Sequence, residues 1–243
     1  MVHFHPRADA PFRLADIDRA LSAGVHGIEL DLRLRRSDRA VVCSHSARGL
    51  EERPTLAASI DRILRYRGDS GTVQKDGLQF FLVLDVKERS PLLYRGIVRT
   101  LRRYADSWST TAAGPDGSPR GMTVVVSGGA RGLAGTLEAA TADSLFILEG
   151  QDYRGRIRQV SPEGGRFQWI AIQHPGERGR VRALHAGTDL ATPGVFNVRA
   201  YDCHRRLAEC AAAGVDAVNA DLDELPRAAK LSAWVPHGSD PSR

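Results

Sequence analysis

Aromatic residues are scarce in this chain, at 6% of 243 residues, and cysteines are scarcer, at three. Low aromatic content, dispersed basic residues and no recognised binding motif leave a nucleic-acid role without support. Three cysteines, an odd number, argue against a disulfide framework. Cys203 and Cys210 lie in a stretch that reads as helix. That spacing would hold their Cα atoms roughly 10 Å apart, too far to bridge. Cys43 sits in an apolar run and reads as a small buried residue. No apolar run approaches the ~18 residues of a membrane span, which argues against stable membrane insertion. The opening MVHFHP has neither a basic n-region nor an apolar h-region. The chain as it stands therefore reads as cytoplasmic, with secretion after removal of a leader as the alternative. No glycine-rich phosphate loop follows the first strand, which counts against an open doubly wound sheet.

What is present is ordinary globular material. An apolar fraction of 42% with 26% charged residues is ample for a sizeable core. The formal charge of +5 comes from 34 basic and 29 acidic residues, with Arg far outnumbering Lys. So mild an excess suits an anionic substrate or membrane surface, and equally a basic-leaning soluble enzyme. Short apolar runs alternate with amphipathic stretches along the chain. Strands are expected at 1–5, 27–34, 40–44, 80–86, 122–126, 145–148, 169–172, 195–198 and 217–218. Helices are expected at 14–23, 55–66 and 91–104, with a loop over 107–120. Seven or eight βα units in about 240 residues predict a single α/β domain over 1–243, a (β/α)₈ TIM barrel.

Such a barrel gathers its chemistry at the C-terminal ends of its strands. The polar residues there are His3 and His5, Glu29 and Asp31, His45, Asp85 and Lys87, with Ser127 and His174 after later strands. Glu29 and Asp31 are two apart on one strand, so they share a face and repel unless a proton or cation lies between them. Asp85 sits inside FFLVLDV, where a carboxylate needs a partner. A divalent ion shared by the three is one such partner, and all-oxygen ligation suits Mg²⁺ or Ca²⁺ better than zinc. Pairing of Glu29 and Asp31 with Arg33, Arg35 or Arg36 on an exposed strand is the plain alternative. His5 and His45 each end a strand, as an acid–base pair for phosphoryl displacement must. Lys87 would add positive charge against the developing phosphorane. Ser127, followed by two glycines, lacks the nucleophile-elbow pattern and reads as a phosphate-contacting or structural loop residue.

The order His, Glu-x-Asp, His, carboxylate strand resembles the glycerophosphodiester phosphodiesterase-like superfamily, which includes phosphatidylinositol-specific phospholipase C and the sphingomyelinase D type of phospholipase D. GIELDLRLRRSDRAVVCSHS is similar to that group's second and third strands, and FLVLDVK to its sphingomyelinase-D-like strand. TVVVSGG, FQWIAI and AGVDAVNADLDEL resemble its later strands, so the likeness runs along nearly the whole chain. The altered-inheritance-of-mitochondria subgroup carries a similar His-x-His. Three positions depart from the pattern. His5-Pro6-Arg7 stands for His-Arg-Gly, which keeps His3 as the substitute for His5. His45-Ser46 stands for His-Asp, and Arg199 stands where a tryptophan is common.

The resemblance implies a phosphoric diester hydrolase in which Glu29, Asp31 and Asp85 hold Mg²⁺ or Ca²⁺. His5 and His45 would act as acid and base, while Lys87 and Arg199 would bind the substrate phosphate. The substrate would be a glycerophosphodiester or (lyso)phospholipid-type molecule. A phospholipase-D-like cyclising reaction on the same scaffold is the alternative. Two further readings remain: a non-catalytic barrel that binds a phosphorylated ligand, and an amidohydrolase-like enzyme with zinc on His3 and His5. A transient interfacial contact through residues 176–194 is a further expectation.

Overall fold

The structure is a computed structural model that describes residues 2–4, 10–66, 73, 80–107, 122–128, 147–153, 156–158, 169–172, 197–200, 207–213, 215, 217–220 and 223. It is mixed α/β. Expectations that fall on the loop after residue 107, on His5, on His174 and on 176–194 lie outside the described residues.

The chain enters with strand β1 (Val2–Phe4) and helix α1 (Leu14–Ser22), which is capped by Ala23 and followed by Gly24 in the left-handed conformation. Strand β2 (Gly27–Leu34) follows, then β3 (Val41–Cys43), helix α2 (Leu56–Leu64), β4 (Phe80–Val86) and helix α3 (Pro91–Arg102). Each of the last two helices starts where a hydroxyl caps it. Thr55 accepts from the Ala58 amide at 3.1 Å, and Ser90 accepts from Leu93 at 3.3 Å with Pro91 in the first turn. Beyond lie β5 (Met122–Gly128), β6 (Ile147–Leu148), β7 (Gly150–Tyr153), β8 (Arg156–Arg158), β9 (Trp169–Ile172), β10 (Asn197–Ala200), helix α4 (Leu207–Ala213) and β11 (Ala217–Ala220).

All eleven strands among the described residues join one sheet, in the order β6-β5-β4-β2-β1-β11-β10-β9-β7-β8, with β3 branching from β2. Every pairing along that path is parallel except the β7–β8 hairpin. Glu149 alone separates β6, which pairs with β5, from β7, which pairs with β9.

Strand β3 corrects the expected strand–helix alternation, because it runs antiparallel to β2, with Leu32 opposite Cys43. The physical reason is the length of the connection. Residues 35–40 form a tight turn closed by the Arg35 amide on the Ala40 carbonyl at 2.9 Å, with Arg39 at φ 60°. A parallel crossover needs a dozen residues or more. The hairpin brings the residue after β3 back beside the end of β2.

Side-chain alternation along β2, β4 and β5 sorts the sheet into two faces. Ile28, Leu30, Leu32 and Leu34 join Phe80, Leu82, Leu84 and Val86, with Met122, Val124 and Val126, in one core that continues into Ile17, Leu21, Ile60, Ile63, Leu93 and Ile97 of the helices. The opposite face carries Phe81, Val83 and Val125, also buried, and then turns polar toward the C-terminal strand ends. Burial on both faces is what makes FFLVLDV a continuous apolar run.

The cysteines bring a second correction. Cys43 is buried and free, as expected, and burial pushes its thiol up to about 12. Cys210 is disulfide-bonded, its partner lying outside the described residues. The 10 Å estimate assumed one helix through 203 and 210; among the described residues helix α4 covers Leu207–Ala213.

Candidate active site

Register brings the polar residues together. Asp31 is the partner of Asp85 across β2–β4, and Asp85 is the partner of Ser127 across β4–β5. Glu29 lies one pleat earlier on the face of Asp31. One oxygen from each of Glu29, Asp31 and Asp85 can be chosen so that all lie within 4.8 Å of one another. Glu29 and Asp31 are buried, and Asp85 is nearly so. Burial, then the charge on Glu29, raise the Asp85 carboxyl above its ordinary range, although Lys87 opposes them.

Lys87 follows Asp85 on the same face and joins two of the three carboxylates. Its Nζ lies 2.6 Å from Asp85 Oδ2 and 2.9 Å from Asp31 Oδ1. Burial alone would lower the ammonium pKa, but Asp85 and Asp31 together outweigh it and raise it. The cation is therefore permanent at any ordinary pH. The alternative pairing is corrected here: Arg33 reaches Glu88 at 3.7 Å and Arg35 reaches Asp38 at 2.7 Å, so both turn away from Glu29 and Asp31.

His45 arrives from the β3 side of the hairpin. Ser44 donates its amide to the Asp31 carbonyl at 2.7 Å, and Arg33 Nε donates to the His45 carbonyl at 2.9 Å. These bonds hold the His45 backbone beside β2. Its ring Nδ1 then lies 2.8 Å from Asp31 Oδ2. An ionised carboxylate can only accept, so Nδ1 is the donor in this contact and Nε2 is the nitrogen left to face outward. The side chain is 44% exposed, against 4% for Asp31, so the ring faces outward from a buried anchor.

The remaining expected residues are placed by backbone alone or not at all. His3 is in β1, in register with Asn219 and Gly27, and Arg199 is in β10, in register with Ala171 and Ala217. His5 lies outside the described residues. Ser127 is buried and donates a very short hydrogen bond to Glu149, itself 5% exposed. This hydroxyl–carboxylate pair sits one strand beyond Asp85, and sequence reasoning missed its acidic member. The signal available was a lone Glu closing the apolar run LFIL.

No family model and no curated protein matches the sequence. Solved structures do. A calcium-dependent phosphoinositol-specific phospholipase C from Pseudomonas sp. superposes with a TM-score of 0.61 at 10% identity, over 89% of this chain and 87% of that one. A putative glycerophosphodiester phosphodiesterase from Galdieria sulphuraria gives 0.61 at 12% identity, over 93% and 96%. A Ca²⁺-dependent phosphatidylinositol-specific phospholipase C from Streptomyces antibioticus gives 0.60 at 14%, over 93% and 95%. The chain thus has the fold of phosphoinositol-specific phospholipases C and glycerophosphodiester phosphodiesterases, the same group that its N-terminal motifs resemble.

Proposed function

We propose that this protein is a metal-dependent phosphodiesterase, a phosphoric diester hydrolase acting on a glycerophosphodiester or (lyso)phospholipid-type substrate. The observation that carries the reading is the convergence of Glu29, Asp31 and Asp85 beside a histidine anchored on one of them. Their donor set is all carboxylate, which fits Mg²⁺ or Ca²⁺ and does not fit a zinc site built on histidines. Glu29, Asp31 and Asp85 would hold the ion, which when bound neutralises charge on the phosphodiester.

The chain's own residues supply the rest. With Nδ1 committed to Asp31, His45 presents Nε2 as the base that takes a proton from an attacking water or substrate hydroxyl. The freed oxygen bonds to phosphorus while the leaving alkoxide takes a proton from a second acid, the role assigned to His5. Lys87, and Arg199 from β10, would meet the equatorial oxygens. A second reading, a cyclising phospholipase-D-like reaction, is favoured by the Asp85-Val86-Lys87 arrangement. The two differ in whether a cyclic phosphate accumulates, which mass spectrometry of the product distinguishes.

The scaffold belongs to the same proposal. If β6, Glu149 and β7 are one interrupted strand, then β1, β2, β4, β5, β6–β7, β9, β10 and β11 form a closed ring of parallel neighbours. That ring is a (β/α)₈ barrel in a single domain. The Cys210 disulfide fits an oxidising compartment, so secretion is favoured over the cytoplasm. Among the described residues, no helix is long and apolar enough to cross a membrane.

Turnover of glycerophosphocholine, lysophospholipids, phosphatidylinositol and an aryl phosphodiester tests the reading, with Mg²⁺, Ca²⁺ or chelator. Metal-dependent hydrolysis is expected on at least one, falling about 10²–10⁴-fold in His45→Ala. Turnover indifferent to His45, or none on any substrate, would move the assignment to a phosphate-binding or zinc-dependent barrel.

A further inference from the structure

We infer that Gly128 is a positioning residue for the third carboxylate of the site, and that the missing side chain at this position is what lets Asp85 join Glu29 and Asp31. The inference rests on the metal-site reading above. Gly128 is the last residue of β5, the strand next to that of Asp85, in register with Val86. Its φ is +74°, a conformation that L side chains rarely adopt. A Cβ built there would fall 1.9 Å from Asp85 Oδ1, 3.1 Å from Asp85 Cγ and 2.9 Å from the Val86 carbonyl oxygen. The carboxylate of Asp85 therefore occupies the space that any other residue at 128 would fill.

The two oxygens of Asp85 are thus held differently. Oδ2 is drawn by the ammonium of Lys87, while Oδ1 rests against bare backbone at Gly128. A methyl group at 128 cannot be accommodated by a small adjustment. The Val86 carbonyl belongs to the parallel sheet, so Asp85 is the group that must rotate. Rotation about χ1 moves the whole carboxylate and re-aims the oxygen that lies within 4.8 Å of Glu29 and Asp31, which disturbs the three-carboxylate arrangement. Gly128 touches no reacting atom, and it acts through Asp85.

Gly24 supplies the control for backbone strain. It has nearly the same φ, +79°, yet a Cβ there meets nothing within 4 Å. Gly24→Ala imposes left-handed strain alone, whereas Gly128→Ala imposes strain and overlap together. The test titrates Ca²⁺ and Mg²⁺ separately into the whole chain by calorimetry, and follows thermal unfolding in chelator. The proteins are wild type, Gly24→Ala, Gly128→Ala, Asp85→Ala and Asp85→Ala/Gly128→Ala. The expected result is a loss of metal affinity of about 10–100-fold in Gly128→Ala, as when a ligand's support is removed, with affinity kept in Gly24→Ala. The midpoint loss from Gly128→Ala should shrink once Asp85 is Ala, leaving the part due to backbone strain and the Val86 carbonyl.

Wild-type affinity in Gly128→Ala would overturn the inference, as would an equal midpoint loss with and without Asp85. Should Gly128→Ala fail to fold, folding of the double variant supports the overlap, and its failure refutes it. Absence of metal binding by the wild type would sink the metal-site reading instead, leaving the unfolding comparison to decide the Gly128–Asp85 contact.

Discussion

Two ion-pair clusters lie toward the C-terminal end of strand β2, made from the same kinds of group with opposite outcomes. At the exposed turn before β3, Arg35 grips Asp38 at 2.7 Å and approaches Glu51 at 3.8 Å. On the buried face at the C-terminal ends of β2 and β4, Lys87 grips Asp85 at 2.6 Å and Asp31 at 2.9 Å. The hydrogen bond from Arg35 pulls Asp38 down to about 2, whereas burial and the charge of Glu29 push Asp85 up. A short contact to a cation is therefore not what decides a carboxylate's behaviour. The turn gives one exposed carboxylate two hydrogen bonds from a guanidinium. The interior sets three carboxylates against one ammonium among the described residues, in a medium that screens poorly.

The sharpest way to break this contrast is to remove the inner cation. Lys87→Met should cost the metal-free protein about 3 kcal/mol, the lower end for a broken buried pair because the side chain is 20% exposed. Urea unfolding in chelator measures it, and Ca²⁺ or Mg²⁺ should return much of the loss by binding the folded state alone. Unchanged stability would mean that Lys87 is a spectator of the carboxylates.

A smaller effect, of opposite sign in pH, separates the two acids. Asp85 is raised above 3.8 in the folded state, so its protonated form favours folding. That contribution is full below 3.8 and is lost as pH rises through the raised value. Metal-free Asp85→Asn should flatten this decline and be more stable than wild type at neutral pH, read as the urea midpoint against pH. The smallest effect comes from the turn. Asp38 is depressed from 3.8 to about 2, so its contribution is present above 3.8 and disappears as pH falls toward about 2. Asp38→Asn should remove only that acid limb, as a surface pair does. A neutral-pH loss as large as that of Lys87→Met would erase the distinction between the clusters.

Much of this was legible in the residues. Strands β2, β4 and β9 lie at their expected bounds because each is an apolar or alternating run long enough to declare its period. The carboxylates of β2 and β4 were legible for the same reason: strict alternation puts Glu29 and Asp31 on one face, and an acid within FFLVLDV is conspicuous. The direction of β3 was not, since periodicity carries no direction, although the short turn over 35–40 already forbade a parallel crossover. Glu149 was hidden because a two-residue strand and a four-residue strand flank it, too short to show alternation. The role of Gly128 was out of reach for a deeper reason. It depends on a carboxylate 43 positions earlier, brought against it only by the β4–β5 register.

The antiparallel β2–β3 hairpin has a consequence for the order of assembly. Glu29, Asp31 and His45 all belong to one local unit, closed by the Arg35–Ala40 turn and by Ser44 on Asp31. Hairpins form on the order of 1–10 μs, whereas parallel pairing waits for a longer loop to close. Glu29, Asp31 and His45 are therefore expected to come together by short-range folding, with Asp85 joining them only when β4 docks in register. In a refolding experiment, the onset of divalent-ion binding would time the β2–β4 docking, not the hairpin.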